Sequence, residues 1–219
     1  MHISNDRYFD DRQRHDLALR MIRHEARTCT IRLCTGLTDD RIRRLYKTYA
    51  SHVLTVPVRR HRGKSPRKVS FFTRNTQAQF EASLLAGVFA SFGLLDERSP
   101  RERVSIAHGT LFCDAYETHL QLLQRAAISF EHAWFLLQML TRSGALQALR
   151  CRHCDGQFLH DCSTVLRRAC PACTLKGMAG RLVRQKRHRN ASRSRMQPRG
   201  SASDVRVLSP SAPTDRLGA

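Results

Sequence analysis

The chain has 219 residues, of which 41% are hydrophobic, so it can form one medium-sized domain with a buried core and a small appendage. Its 38 Lys and Arg residues outnumber its 18 Asp and Glu residues, which gives a formal net charge of +20. This charge favours a polyanionic partner such as DNA, RNA or an anionic membrane. We expect no membrane-spanning segment, because no apolar run approaches the necessary length.

Apolar residues recur at helical spacing near the N-terminus, which predicts a helix from about Arg12 to Thr35 that Gly36 ends. Its predicted apolar stripe contains Leu19, Ile22, Ala26, Cys29 and Leu33. Thr38 is the predicted N-cap of a second helix, which has Ile42 and Tyr46 on one face and several arginines on the others. Two such helices are compatible with a helix-turn-helix, although many helical hairpins share this pattern.

Three further helices are predicted in the first 146 residues. Asn75 can cap a helix that continues to about Ser91, with Phe80, Leu84 and Val88 facing inward. Ser99 followed by Pro100 predicts the start of the next helix, which extends to about Arg125 and is weakened by Gly109. The last helix lies between Ser129 and Gly144, and its Trp134 is expected in the core.

Two C-x-x-C pairs follow these helices, at Cys151 and Cys154 and at Cys170 and Cys173. The spacing within and between the pairs is typical of a structural zinc site in which four thiolates surround one Zn²⁺. Asp155 and Gly156 follow the first pair, where the turn needs a residue that tolerates positive φ. Four thiolates leave no open position for water, so we predict a structural site with one ion per chain and no catalytic role.

The alternatives for these cysteines are disulfides or scattered thiols, and His153, His160 and Cys162 are lower-ranked substitute ligands. No signal peptide is evident at the N-terminus, so we expect a reducing cytoplasm instead of an oxidising compartment. We expect Cys29 and Cys113 to be small core residues, since both lie in stretches with apolar periodicity.

Two basic stretches, residues 59–68 and 181–195, contain no acidic residue. Each of them is either a solvated segment or a segment that binds phosphates. We favour flexible contact with nucleic acid for both. The predicted DNA-binding residues are Arg59, Arg60, Arg62, Lys64, Arg67 and Lys68 in the first stretch and Arg184, Lys186, Arg187 and Arg189 in the second.

The predicted fold is therefore mainly α, in three parts. A helical domain spans residues 1–146, a four-cysteine zinc module spans 147–178, and a basic, disordered tail spans 179–219. We do not expect the protein to be an enzyme, because the sequence shows no Gly-rich phosphate loop, H-E-x-x-H or G-x-S-x-G motif.

A specific pattern is formed by Ala133–Trp134, Ser143–Gly144 and the four cysteines that follow, and Gly63–Lys64–Ser65–Pro66 extends it toward the N-terminus. In this pattern the chain resembles the bacterial flagellar transcriptional activator FlhC family. The resemblance implies a mainly helical protein that binds duplex DNA together with FlhD and activates flagellar operons with RNA polymerase. It also implies that Cys151, Cys154, Cys170 and Cys173 are the zinc ligands.

The alternative is an RNA-binding zinc protein, such as a ribosome-associated factor. Proteins that read RNA sequence usually present aromatic side chains on which bases stack. The basic stretches at 59–68 and 181–195 contain no Phe, Tyr or Trp, which favours phosphate contact on a duplex.

Overall fold

A computed structural model describes residues 3–52, 58–96, 105–166 and 168–177. The fold of these residues is mainly helical, as predicted. The helices are α1 (Ile3–Arg23), α2 (Thr28–Thr35), α3 (Asp39–His52), a 3₁₀ helix (Val69–Phe72), α4 (Thr76–Ser91), α5 (Ile106–Leu122) and α6 (Phe130–Arg142). An antiparallel hairpin of β1 (Leu146–Arg150) and β2 (Gln157–Asp161) follows them. Among the described residues no helix has both the length and the apolar character to cross a membrane.

An aromatic cluster forms the centre of the core. The Phe112 ring on α5 lies 5.7 Å from that of Phe89 on α4, 5.0 Å from that of Phe130 and 4.9 Å from that of Trp134 on α6. Edge-on contacts such as those with Phe130 and Trp134 are a favourable aromatic geometry. Trp134 is 7% exposed, which confirms that it is a core residue. The core therefore joins α4, α5 and α6.

Most of the predicted caps are confirmed. The Asn75 side chain accepts a hydrogen bond from the Ala78 N–H, and the Ser129 side chain accepts one from the His132 N–H. Thr38 Oγ1 accepts one from the Arg41 N–H at 3.4 Å. The predicted start of α5 at Ser99 is wrong, because Ser105 is an extended residue that caps the helix at Ile106. The helix ends at Leu122 instead of about Arg125.

The prediction of one continuous helix over residues 12–35 is wrong, because the chain turns between α1 and α2. Glu25 has a φ of 59°, and the Arg27 N–H donates to Glu131 Oε1 at 2.7 Å. A contact from α6 therefore stabilises a corner that local periodicity does not show. The break also rotates the later part of the stripe, so that Cys29 and Leu33 are exposed.

The buried face of α2 contains Ile31 and Cys34 instead, and the prediction of Cys29 as a core residue is wrong. Cys113 on α5 is buried, as predicted. On α4, Leu85 and Phe89 are fully buried, whereas Phe80 and Leu84 are only half-buried and lie toward the hairpin. Val88 is buried as expected.

A cluster of ion pairs joins α1 to α5. Arg20 donates to Asp114 Oδ1 at 2.5 Å and to both carboxylate oxygens of Glu117, and His24 Nε2 lies 2.8 Å from Glu117 Oε1. The hydrogen bond from Arg20 is the main reason why the pKa of Glu117 is lowered to about 2. The carboxylate therefore stays charged, and keeps the two helices paired, well below neutral pH.

Gly109 allows α5 to approach α1 and α2 closely. A Cβ atom at this position would lie 2.9 Å from Cys34 Cβ and 2.9 Å from Leu17 Cδ2. We expect Gly109→Ala to destabilise the protein by about 1–3 kcal/mol, because overpacking a well-filled core outweighs the gain in helix propensity. The measurement is chemical denaturation monitored by circular dichroism.

Gly87 in α4 provides the matched control. No heavy atom lies within 4 Å of the position its Cβ would take, and its φ is in the ordinary range. Gly87→Ala should therefore stabilise the protein by about 0.5–1 kcal/mol. Equal effects of the two substitutions would contradict the proposed close packing at Gly109.

Candidate metal centre and basic surface

The β-hairpin brings the first cysteine pair to its turn. Leu149 pairs with Phe158 and Arg150 with Gln157, so Cys151 leaves β1 at the end of the ladder. The Asp155 N–H donates to the Cys151 carbonyl at 3.0 Å, and Asp155 has a φ of 55°. The positive φ lies at one of the two residues where the sequence predicted it. This tight turn places Cys151 and Cys154 side by side.

The second pair is hydrogen-bonded to the first. The Cys170 N–H donates to Cys151 Sγ at 3.2 Å, and the Cys173 N–H donates to Cys170 Sγ at 3.3 Å. The Arg152 N–H also donates to the Arg168 carbonyl at 3.1 Å, which aligns the two turns. Such N–H donors to sulfur favour thiolates.

The four sulfur atoms all lie within 4.8 Å of one another, with Cys154 Sγ and Cys170 Sγ 3.6 Å apart. Tetrahedral zinc with Zn–S bonds of about 2.3 Å requires sulfurs separated by about 3.8 Å. The donor set and its spacing therefore fit Zn²⁺, and the four-cysteine cluster is formed by the four residues that the sequence predicted. Within the described ranges no other group of three or more His, Cys, Asp or Glu side chains could hold a metal ion.

The thiols of the cluster differ in acidity. The pKa of Cys151 is lowered to about 6, mainly by the Cys170 N–H, whereas the neighbouring Cys154 and Cys170 thiols raise the pKa of Cys173 to about 12. Without a cation, adjacent thiolates repel one another, so metal binding by all four cysteines must release protons.

The substitute ligands lie outside the cluster. His153 and Cys162 are exposed, and Cys162 Sγ donates to the Gly144 carbonyl at 3.2 Å. His160 is buried on β2 but does not join the four sulfurs.

The hairpin packs on α4. The Leu159 N–H donates to Ser83 Oγ at 3.0 Å, and the Gln79 side-chain amide donates to the Leu159 carbonyl at 2.7 Å. Leu146 and Leu159 are buried in the main core, so the cysteine cluster is attached to the helical part by both apolar and polar contacts.

The first basic stretch, residues 59–68, is hydrogen-bonded to the α1–α2 corner, contrary to the prediction that it is flexible. Glu25 accepts a hydrogen bond from the Arg59 N–H at 3.1 Å and pairs with His61 at 2.8 Å. Arg27 Nη1 donates to the Gly63 carbonyl at 2.7 Å. Sequence reasoning missed Glu25 as the anchor, because it lies more than thirty residues before the loop.

The predicted DNA-binding residues of this stretch differ in their surroundings. Arg60 is half-buried, with its guanidinium 5.9 Å from the centre of the Tyr46 ring, so it contributes to packing. The other members are exposed, namely Arg59, Arg62, Lys64, Arg67 and Lys68. The second set, Arg184, Lys186, Arg187 and Arg189, lies outside the described residues, as does the predicted tail.

The sequence matches the model of a family described as flagellar transcriptional activator (FlhC) over residues 4–189. A comparison with curated proteins finds no match. The matched range includes the helices, the four cysteines and the basic residues up to 189. Because the match covers most of the chain, this protein belongs to the FlhC family of flagellar transcriptional activators.

Proposed function

We propose that the protein activates flagellar operons by binding duplex DNA in a complex with FlhD and acting with RNA polymerase. The observation that carries this proposal is the family match over residues 4–189. The formal charge of +20 supports a polyanionic partner, and the matching family is one of transcriptional activators instead of enzymes. The RNA-binding alternative has no comparable support.

We further propose that Cys151, Cys154, Cys170 and Cys173 hold one Zn²⁺ in a structural role. Four thiolates complete the coordination of zinc and leave no position for a reacting water. The ion would fix the hairpin, whose β2 strand is hydrogen-bonded to α4. On this proposal, residues 147–178 act as a zinc module between the helical part, 1–146, and the tail, 179–219.

The DNA contacts are proposed to be mainly with phosphates. Exposed Lys and Arg side chains at 59–68 are available for this role. We propose the same role for Arg184, Lys186, Arg187 and Arg189, on the basis of their charge alone. Arg60 is better suited to positioning the loop, because it packs against Tyr46. Phosphate contacts orient a protein on DNA without reading the sequence.

Apolar side chains on α1 and α2 support the need for a partner. Tyr8 is 71% exposed, Phe9 is 59% exposed and Leu33 is 44% exposed. We expect the isolated chain to aggregate and co-expression with FlhD to make it soluble, because a partner can cover these side chains. The measurement is size-exclusion chromatography of the chain expressed with and without FlhD.

Replacing Tyr8 and Phe9 together by Ser should weaken the complex with FlhD. Replacing Val165 and Leu166 by Ser is the matched control, because these side chains are also exposed but lie in the loop after β2. A stable monomer that does not retain FlhD in a pull-down would refute the proposed complex.

A further inference from the structure

A basic cleft lies between the residue 64–74 segment and the start of α6. Its volume is about 460 Å³, within the usual range for sites that bind small molecules. No carboxylate of the described residues lines it. Its five basic side chains are those of Arg27, Lys64, Arg67, Lys68 and Arg74.

The positive charge of this cleft is largely unbalanced. Lys64, Arg67 and Lys68 are exposed, and none of them forms an ion pair with a described residue. Arginines elsewhere on the surface do form such pairs, as Arg32 does with Asp39 and Arg43 with Asp40. The cleft thus brings three unpaired cations together around one cavity.

Arg27 adds a half-buried cation to the lining of this cleft. Its Nη1 donates to the Gly63 carbonyl, and its Nε lies 4.0 Å from Glu131 Oε2, too far for a hydrogen bond. The buried Nε has no hydrogen-bond partner among the described residues. The cleft is therefore lined by a guanidinium that its contact with the Gly63 carbonyl holds in place.

On another side of the cleft, Arg74 is held in place by an aromatic ring. Its guanidinium carbon lies 4.6 Å from the centre of the Phe71 ring, which in turn stacks on His132 at 4.0 Å with an interplanar angle of 22°. A cation fixed in this way loses little side-chain entropy when an anion binds. Burial, followed by the charges of Arg74 and Arg27, lowers the pKa of His132.

We propose that this cleft binds a phosphate group, with Arg27, Arg67 and Arg74 as its principal donors. Guanidinium groups match phosphate oxygens in a bidentate geometry, and several of them around one cavity favour a doubly charged or polymeric phosphate. The phosphate can come from the backbone of duplex DNA or from a free phosphate ester. Only the DNA source rests on the proposed function; the site itself rests on the charges and geometry of the cleft.

The test compares two double variants of the full-length chain, co-purified with FlhD if the complex forms. Arg67→Ala with Arg74→Ala removes two exposed cations from the cleft. Arg32→Ala with Arg43→Ala removes the same charge from arginines that are paired elsewhere. Circular dichroism and metal analysis establish that both variants are folded, which is expected because all four side chains are exposed.

The first measurement is the shift in melting temperature that inorganic phosphate produces relative to chloride at equal ionic strength. A ligand that binds the native state raises this temperature. The wild type and the control variant should show the shift, and the cleft variant should lose it. The same addition should raise the pKa of His132 in the wild type, as followed by NMR of the histidine ring, because the bound anion offsets the two arginines.

The second measurement is the salt dependence of affinity for duplex DNA. If both arginines contact backbone phosphates, the slope of log affinity against log salt should fall by about 1.8 in the cleft variant and remain unchanged in the control. The cleft variant could lose the phosphate-induced shift in melting temperature while its slope for DNA affinity stays unchanged. This result would support the site and identify its ligand as a free phosphate ester.

Identical behaviour of the two variants in both measurements would overturn the proposed phosphate site, while DNA binding by the wild type would still support the proposed function. Conversely, a wild type that binds no DNA but shows the cleft-dependent phosphate effect would refute DNA binding and support the site.

Discussion

Replacement of Cys170 by serine is expected to abolish zinc binding and to unfold the β-hairpin. Cys170 is buried, its N–H donates to Cys151 Sγ and its own sulfur accepts from the Cys173 N–H, so it connects the two pairs. Structural zinc in small modules contributes an apparent binding free energy of about 10–16 kcal/mol, which is coupled to local folding. Loss of one thiolate should remove most of that stabilisation.

The measurements are metal analysis and amide hydrogen exchange. In Cys170→Ser, the metal content should fall close to zero, and amides of β1 and β2 should exchange rapidly. Amides of α1, α5 and α6 should remain protected, because the aromatic core around Phe112 does not include the cysteine cluster. Residues of α4 should be affected in part, since Gln79 and Ser83 lose their partners on Leu159.

Cys162→Ser is the matched control for this experiment. It is the same chemical change in the same module, at an exposed cysteine outside the four-sulfur cluster. It should retain one equivalent of zinc. A full equivalent of zinc in Cys170→Ser would show that the ligand set is different from the proposed one.

Replacing Arg184, Lys186, Arg187 and Arg189 together by Ala should strongly reduce the salt dependence of DNA binding. Each phosphate neutralised on duplex DNA contributes about −0.9 to the slope of log affinity against log salt, so the slope should flatten by about two to four if most of these residues contact phosphate. The affinities for specific and for random duplexes should fall by similar factors, because phosphate contacts carry no sequence information.

The measurement is a salt titration on promoter DNA and on a random duplex for both proteins. An unchanged slope would mean that the four residues are solvated and do not touch DNA. A loss of affinity for promoter DNA alone would mean that these four residues contact bases. The Arg32→Ala with Arg43→Ala variant, which removes two of the ion-paired arginines, is a partial control for net charge, and its slope should remain unchanged.

Local signals in the sequence predicted the cysteine cluster, both ends of α4 and α6, the end of α2 and the start of α3. The spacing of the two C-x-x-C pairs is sufficient because each pair closes its own turn, and the positive φ at Asp155 follows from that turn. Asn75, Ser129 and Thr38 cap their helices through contacts three residues away, which periodicity and residue type can reveal.

Contacts between distant residues account for the errors. The break after α1 depends on Glu131, which accepts the Arg27 N–H from 104 positions away. The basic loop is held by Glu25 through side-chain contacts that residue type does not reveal. Likewise, Phe80 and Leu84 look like core residues in a helical pattern, but the hairpin covers them only partly.

The α1–α2 corner also has a consequence for biosynthesis. The Arg27 N–H at this corner can donate to Glu131 only after Glu131, 104 residues later in the chain, has been translated. At about 5–20 residues per second, this delay lasts about 5–20 s on the ribosome. During most of that time Leu17, Met21 and Ile22 also lack α5, which packs on α1 in the finished domain. The nascent N-terminal segment is therefore exposed to chaperones or to an early partner before the domain can close.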